Sequence, residues 1–187
     1  MKVCTCIFEL RGETMSYLNK FIPDVYVTDI YQITPELLKK QGIEGVMTDL
    51  DNTLVRWDQP HTTAEVVEWL TTLRAAGIKT LIISNNNQQR VQEFAEPLDI
   101  SFIHKARKPL QKGFIDGRKQ LQLPAKKIAV IGDQVMTDVF GGNRQGMYTI
   151  LVDPIGEKEF LTTKFNRTLE RAIVRHLYRK GLISWIR

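Results

Sequence analysis

Two carboxylates two positions apart close a short apolar run, Gly45-Val46-Met47-Thr48-Asp49-Leu50-Asp51-Asn52-Thr53-Leu54. Alternate residues of a strand project to one side, so Asp49 and Asp51 start out pointing together. Carboxylates that close repel each other unless a proton or a cation separates them. A run that delivers such a pair to its own end is poor packing and good chemistry. Three later apolar runs end in polar groups too. Residues 79–83 lead into Ser84-Asn85-Asn86, and residues 100–103 into a loop with Lys105, Arg107 and Lys108-Pro109. Residues 127–131 lead into Gly132-Asp133, with Asp138 five positions further on. Acids gathered on one edge need a hard cation, and Mg2+ with oxygen ligands suits them. One carboxylate is then free to attack phosphorus. The Ser84 hydroxyl and backbone N–H groups at Ser84-Asn85 are suited to phosphate oxygens, and a lysine to the charge of a phosphorylated intermediate.

The elements that must position these groups alternate in kind. Strands are expected at 45–50, 79–83, 100–103, 127–131 and 147–152. Helices are expected near 63–76, 87–96, 111–122 and 137–145. The first of these carries Val66, Val67, Leu70 and Leu73 at helical spacing and stops at Gly77. Upstream, Thr34-Pro35-Glu36 reads as the cap and first turn of a short helix that runs to Gln41 and is stopped by Gly42. Strand–helix alternation predicts an α/β fold, a doubly wound parallel sheet with right-handed crossovers and helices on both faces. Ligands bind such folds beyond the carboxyl ends of the strands, where all of the polar groups above fall.

Asp49-Leu50-Asp51-Asn52-Thr53 resembles motif I of the haloacid dehalogenase (HAD) superfamily. Ser84, Lys108 and the stretch from Gly132-Asp133 to Asp138 resemble motifs II, III and IV, in order and suitably spaced, over residues 45–153. Residues 15–187 are similar to the YqeG branch of the subfamily IIIA phosphatases, with its Ile22-Pro23-Asp24 opening, Ile33-Thr34-Pro35 helix start and Gly132-Asp133-Gln134 variant. That branch resembles the mitochondrial phosphatidylglycerophosphate phosphatases. The resemblance implies a HAD-like Rossmannoid fold with Asp49 as nucleophile and Asp51 as acid and then base. It implies Mg2+ held by the Asp49 and Asp133 carboxylates and the Asp51 backbone carbonyl. Ser84, Asn85 and Lys108 would bind the phosphoryl group, Thr53 would support motif I, and Asp138 would orient Lys108 or a metal-bound water. Lys105 and Lys112 are rivals to Lys108, which the Lys-Pro dipeptide favours. Asn52 stands where the superfamily commonly has glycine, and asparagine tolerates unusual backbone angles.

The spacing bears on substrate. Asp49 and Ser84 are 35 positions apart, and Ser84 and Lys108 are 24 apart. Each interval has room for one helix and its loops, so a capless, open site is expected. Such a site suits a substrate attached to something large, here a lipid-borne phosphate. The resemblance points to phosphatidylglycerophosphate; soluble sugar or nucleotide phosphates are the enzymatic alternative. A non-catalytic RNA- or protein-binding module is the alternative of a different class, and the complete set of acids argues against it.

The net charge of +5 favours polyanions or an anionic membrane surface. From Phe160 to Arg187 there are seven Lys or Arg residues and one acid, Glu170. Arg167, Arg171, Arg175 and Arg179 recur every fourth position, and Phe165, Leu169, Ile173 and Leu177 do the same two positions away. This predicts a C-terminal basic amphipathic helix that packs its apolar stripe on the domain. Its arginine face is free to meet lipid headgroups peripherally. Nucleic acid is not an expected partner. Cys4 and Cys6 are too close for an unstrained mutual disulfide, and no apolar run reaches the roughly 20 residues of a membrane span. A cytoplasmic location, reaching the membrane inner face, is expected. Residues 1–14 read as a flexible extension and 15–187 as a single domain.

Overall fold

The computed structural model describes residues 17–156 and 161–185, with backbone alone at 161–167 and 169. The expected extension over residues 1–14 lies outside the described residues. Six parallel strands form one sheet in the order β1-β6-β5-β2-β3-β4. They are β1 Val25–Val27, β2 Gly45–Thr48, β3 Lys79–Ile83, β4 Ser101–Ile103, β5 Ile128–Gly132 and β6 Tyr148–Val152. The helices are α1 Pro35–Lys40, α2 Ala64–Ala75, α3 Gln88–Ala95, α4 Gln111–Leu121, α5 Phe140–Arg144 and α6 Leu161–Arg179. The doubly wound α/β architecture expected from the alternation is therefore present.

Residues of the central strands alternate between two cores, as strand geometry requires. Val46 and Ile82 join Leu38 of α1, Leu73 of α2 and Phe94 of α3 on one face. Met47, Leu81 and Ile83 join Phe114 and Leu121 of α4 on the other. Full burial of side chains such as Leu73 or Phe114 contributes about 1.5–3 kcal/mol each. Helix starts follow side-chain capping. Thr34, Thr63 and Asn87 accept from Leu37, Val66 and Arg90 backbone N–H groups at the starts of α1, α2 and α3.

Two elements differ from expectation. β1 was not anticipated, because three residues make no strand-length run; it is stabilised by parallel pairing with β6, Val25 opposite Ile150. The helix expected from residue 137 begins instead as a π-turn over Val135–Val139 that passes into α5. Its wide turn buries Thr137 and Asp138 at the end of β5. π-turns of this kind recur at functional sites.

α6 is helical as expected. Val174 and Leu177 are buried against Phe21, Val135, Val139, Phe140 and Leu151, so the helix packs on the domain over the π-turn. Ile173 is half-buried against the same cluster, while Arg171, Arg175 and Arg179 are exposed. The side chains of Phe165, Arg167 and Leu169 lie outside the described residues. Among the described residues, no helix is long and apolar enough to cross a membrane.

Candidate active site

β2 lies between β3 and β5, at the switch point of the strand order. It ends at Thr48, so Asp49 leaves the strand at the carboxyl edge beside Asp133, which follows β5. The Asp49 backbone N–H still donates to the Ile131 carbonyl at 2.8 Å, which ties the two strand ends together. Immediately after, Asn52 adopts a left-handed φ of 65° and turns the chain back, donating to the Val55 carbonyl. Asparagine accepts this conformation where most residues are strained.

Asp49, Asp133 and Asp138 are buried, and each offers a carboxylate oxygen within 4.8 Å of the others. Lys108 is buried among them. Its Nζ lies 2.8 Å from Asp49 Oδ1 and donates to Asp138 Oδ1 at 2.7 Å. Asp138 is itself fixed by the π-turn, since its Oδ2 accepts from Gln134 N–H at 3.1 Å and from the Thr137 hydroxyl at 3.2 Å. Gly132 makes room for it; a Cβ there would sit 2.2 Å from Asp138 Cγ. The Thr53 hydroxyl donates to Asp133 Oδ1 at 3.4 Å. Of the rival lysines, Lys105 is exposed, and Lys112 is exposed and paired with Asp116.

The polar run after β3 divides its work. The buried Ser84 hydroxyl accepts from Asn86 N–H at 3.0 Å. The Asn85 side chain accepts from Lys108 N–H at 2.6 Å and donates to the Lys108 carbonyl at 3.1 Å. Asn85 thus grips the backbone that carries the buried amine. Asn87 caps α3.

Asp51 parts company with Asp49. The expectation that the two carboxylates start out together meets a strand that ends earlier, at Thr48, and a chain that turns at Asn52. Asp51 Oδ1 accepts from Arg90 Nε at 3.1 Å, and Oδ2 from Asn86 Nδ2 at 2.9 Å. The sequence places Asn86 in the polar run after β3 but gives it no partner, and gives Arg90 no role at all. Each lies a few positions beyond Ser84, and nothing in the helical pattern of α3 shows that its first turn reaches back to motif I.

The electrostatics follow from burial. Loss of water pushes the Asp49 carboxyl up to about 8, with the Asp138 and Asp133 charges adding to the rise and Lys108 opposing it. Burial pulls the Lys108 amine down, but Asp138 and Asp49 outweigh it and hold it above its ordinary value. Three carboxylates against one amine leave this cluster of four with excess negative charge, and its donors toward a cation are all oxygens. That set fits a hard divalent ion such as Mg2+.

A family model for haloacid dehalogenase-like hydrolases matches residues 10–146. A Bacillus subtilis protein named as a probable phosphatase, YqeG, is 50% identical over 165 residues, 88% of this chain and 96% of that protein. Phosphatidylglycerophosphate phosphatase 1 of Arabidopsis thaliana, chloroplastic/mitochondrial, is 27% identical over 178 residues. The match takes in 86% of this chain and 49% of the plant protein, so the chain spans about half of that relative's length. A solved structure of an uncharacterized protein from Listeria monocytogenes serotype 4b shares the fold, with a TM-score of 0.50 and 16% identity over 63% of this chain and 85% of that one. Four motifs converge on one sheet edge, the family match runs through all of them, and half of the aligned residues are identical in the Bacillus protein; the chain belongs to the haloacid dehalogenase-like hydrolases, as a phosphatase.

Proposed function

We propose that the chain is a Mg2+-dependent phosphomonoester hydrolase that works through an aspartyl-phosphate and acts on phosphatidylglycerophosphate to give phosphatidylglycerol. The observation that carries the chemistry is Asp49 at the end of β2, 2.8 Å from the buried Lys108 amine and clustered with Asp133 and Asp138. The Asp49 and Asp133 carboxylates and the Asp51 carbonyl would hold Mg2+. Bound there, the ion supplies charge that offsets the carboxylates and polarises a phosphate oxygen.

The chain's own groups do the rest. Lys108, the Ser84 hydroxyl and the Asn85 backbone N–H bind the phosphoryl oxygens. Asp138 and the Asn85 side chain hold Lys108 in place from its two ends. Thr53 steadies Asp133. An Asp49 oxygen bonds to phosphorus as the ester P–O bond breaks, and the leaving oxygen takes a proton from Asp51. Asp51, now a carboxylate, takes a proton from water as that water attacks the aspartyl-phosphate. Inorganic phosphate leaves and Asp49 is regenerated.

Two features support a lipid-borne substrate. Between Asp49 and Ser84, and between Ser84 and Lys108, the only α-helices are α2 and α3 respectively, so neither interval holds a cap. The plant relative carries the phosphatidylglycerophosphate phosphatase name. The reading places the enzyme in the cytoplasm, meeting the membrane inner face through the exposed arginines of α6. Phosphate release from purified protein tests it, with phosphatidylglycerophosphate in vesicles beside soluble sugar and nucleotide phosphates. Mg2+-dependent release that is fastest from the lipid is expected. Faster turnover of a soluble ester would overturn the lipid assignment, and release unaffected by chelation would overturn the metal assignment.

A further inference from the structure

We propose that Arg90 is the positioning residue for Asp51, fixing the orientation from which that carboxyl exchanges its proton; this rests on the reading of Asp51 as acid and base. Arg90 lies in the first turn of α3, just after the Asn87 cap. Its guanidinium approaches Asp51 Oδ1 with two nitrogens, Nε at 3.1 Å and Nη2 at 3.0 Å. It also donates to two backbone carbonyls of the segment after motif I, Pro60 through Nη1 at 3.2 Å and Arg56 through Nη2 at 3.4 Å. The Asn86 amide holds the other Asp51 oxygen at 2.9 Å.

A planar fork anchored on two carbonyls has little freedom left, and that rigidity passes to whatever it grips. Asp51 is therefore aimed by α3 rather than by its own rotamer preference. The arrangement differs from an ordinary surface ion pair, which contributes little and orients nothing. Here the two side chains are only 12% and 18% exposed, and the pair joins a helix to the loop that carries the reacting group. The Lys108 amine is engaged with Asp49 and Asp138, so Asp51 and Asp49 are held by separate cations. That division lets Asp51 be oriented independently of the nucleophile. In turnover Arg90 keeps its own protons; the transferred proton moves between Asp51, the leaving oxygen and water.

The test is a double-mutant cycle on the full chain with Arg90→Gln, Asp51→Asn and the double variant, and Arg90→Lys alongside. Substrates are an alkyl ester, glycerol phosphate, and an aryl ester, p-nitrophenyl phosphate, whose better leaving group needs less protonation. General acid–base catalysis is worth about 100- to 10,000-fold, so misaiming Asp51 is expected to cost about 10- to 100-fold in kcat on the alkyl ester. The aryl ester should lose far less, KM should hold, and Arg90→Lys should recover part of the loss. In the Asp51→Asn background, Arg90→Gln should cost nothing further. Equal fractional losses on both esters that multiply in the double variant, with a lowered Tm, would overturn the proposal and make the pair structural. If Asp51→Asn alone failed to discriminate the esters, the proton-transfer reading would fall. The cycle would still show whether Arg90 acts through Asp51.

Discussion

Ser84, Asn85, Asn86 and Asn87 are four small polar residues in a row with four different partners. The Ser84 hydroxyl accepts from the Asn86 N–H, Asn85 grips the Lys108 backbone, Asn86 holds Asp51, and Asn87 caps α3. The sequence made the first legible, because a hydroxyl after an apolar run is a recognisable signal. The resemblance implies only a phosphoryl-binding role for Asn85; its hold on Lys108 and the partners of Asn86 and Asn87 are not legible, because an asparagine's partner is set by which loop folds over it. Asp49, Lys108 and Asp133 were legible for the opposite reason, each standing at the end of a strand or in the loop after one, and Asp138 because it follows Asp133 by five positions. Replacing Asp49 by Asn is expected to abolish turnover while the protein stays folded; a folded variant with near wild-type phosphate release would refute covalent catalysis by this residue. The burial of Asp49 also sets a pH dependence. Its folded value of about 8 stands above the ordinary 3.8, so its contribution to stability is complete below about pH 4 and is lost as pH rises through 8. A divalent ion competes with the proton for the same carboxylate. Mg2+ should therefore raise Tm more at pH 8 than at pH 5, and Asp49→Asn should remove most of that difference. A Tm increase independent of pH would place the ion elsewhere.

At the scale of elements, the fully buried strands β2 and β5 announced themselves as apolar runs, and α2 by its spacing and its Thr63 cap. β1 did not, because its strand character comes from a partner far along the chain. The Thr149 N–H donates to Asp24 Oδ2 across 125 positions, just ahead of the Val25–Ile150 pairing. The π-turn was hidden too. Val135-Met136-Thr137-Asp138-Val139 reads as ordinary helix, and only packing shows that the turn widens to carry Asp138 beneath Gly132. That contact makes the junction of β5 and the π-turn intolerant of added volume. Gly132→Ala forces its methyl group into Asp138 and so displaces the anchor of Lys108. Overpacking of this kind typically costs about 1–3 kcal/mol, which a urea titration will read. Activity should fall by more than the stability loss explains, because Lys108 shifts even in molecules that remain folded. A variant with wild-type kcat would show that the site tolerates movement of Asp138.

For the molecule as a whole, charge and shape act together. The basic segment from Phe160 onward contains one acid, and the structure buries it: Glu170 is only 5% exposed on α6. Val174 and Leu177 are buried against the domain, so the described outward residues of the helix include Arg171, Arg175 and Arg179. The apolar stripe read from the sequence caught Leu177 and missed Val174, since a strict four-residue repeat drifts around a helix of 3.6 residues per turn. A helix that spends its apolar face on the core has electrostatics left for binding a bilayer. Each basic side chain near an anionic surface contributes about 1 kcal/mol, so on the proposed lipid-facing role the three exposed arginines would together contribute about 3 kcal/mol. Replacing all three by Gln is expected to weaken binding to vesicles rich in phosphatidylglycerol by about 100-fold, as 3 kcal/mol implies at 1.4 kcal/mol per factor of ten. Hydrolysis of a vesicle-borne lipid phosphate should slow with it, while turnover of p-nitrophenyl phosphate should hold, because the motif residues are untouched. Added salt should mimic the substitutions, since exposed charges are screened beyond about 8 Å at physiological ionic strength. Equal loss on both substrates would mean that the arginines support the fold; unchanged vesicle binding would move the membrane-facing surface away from α6.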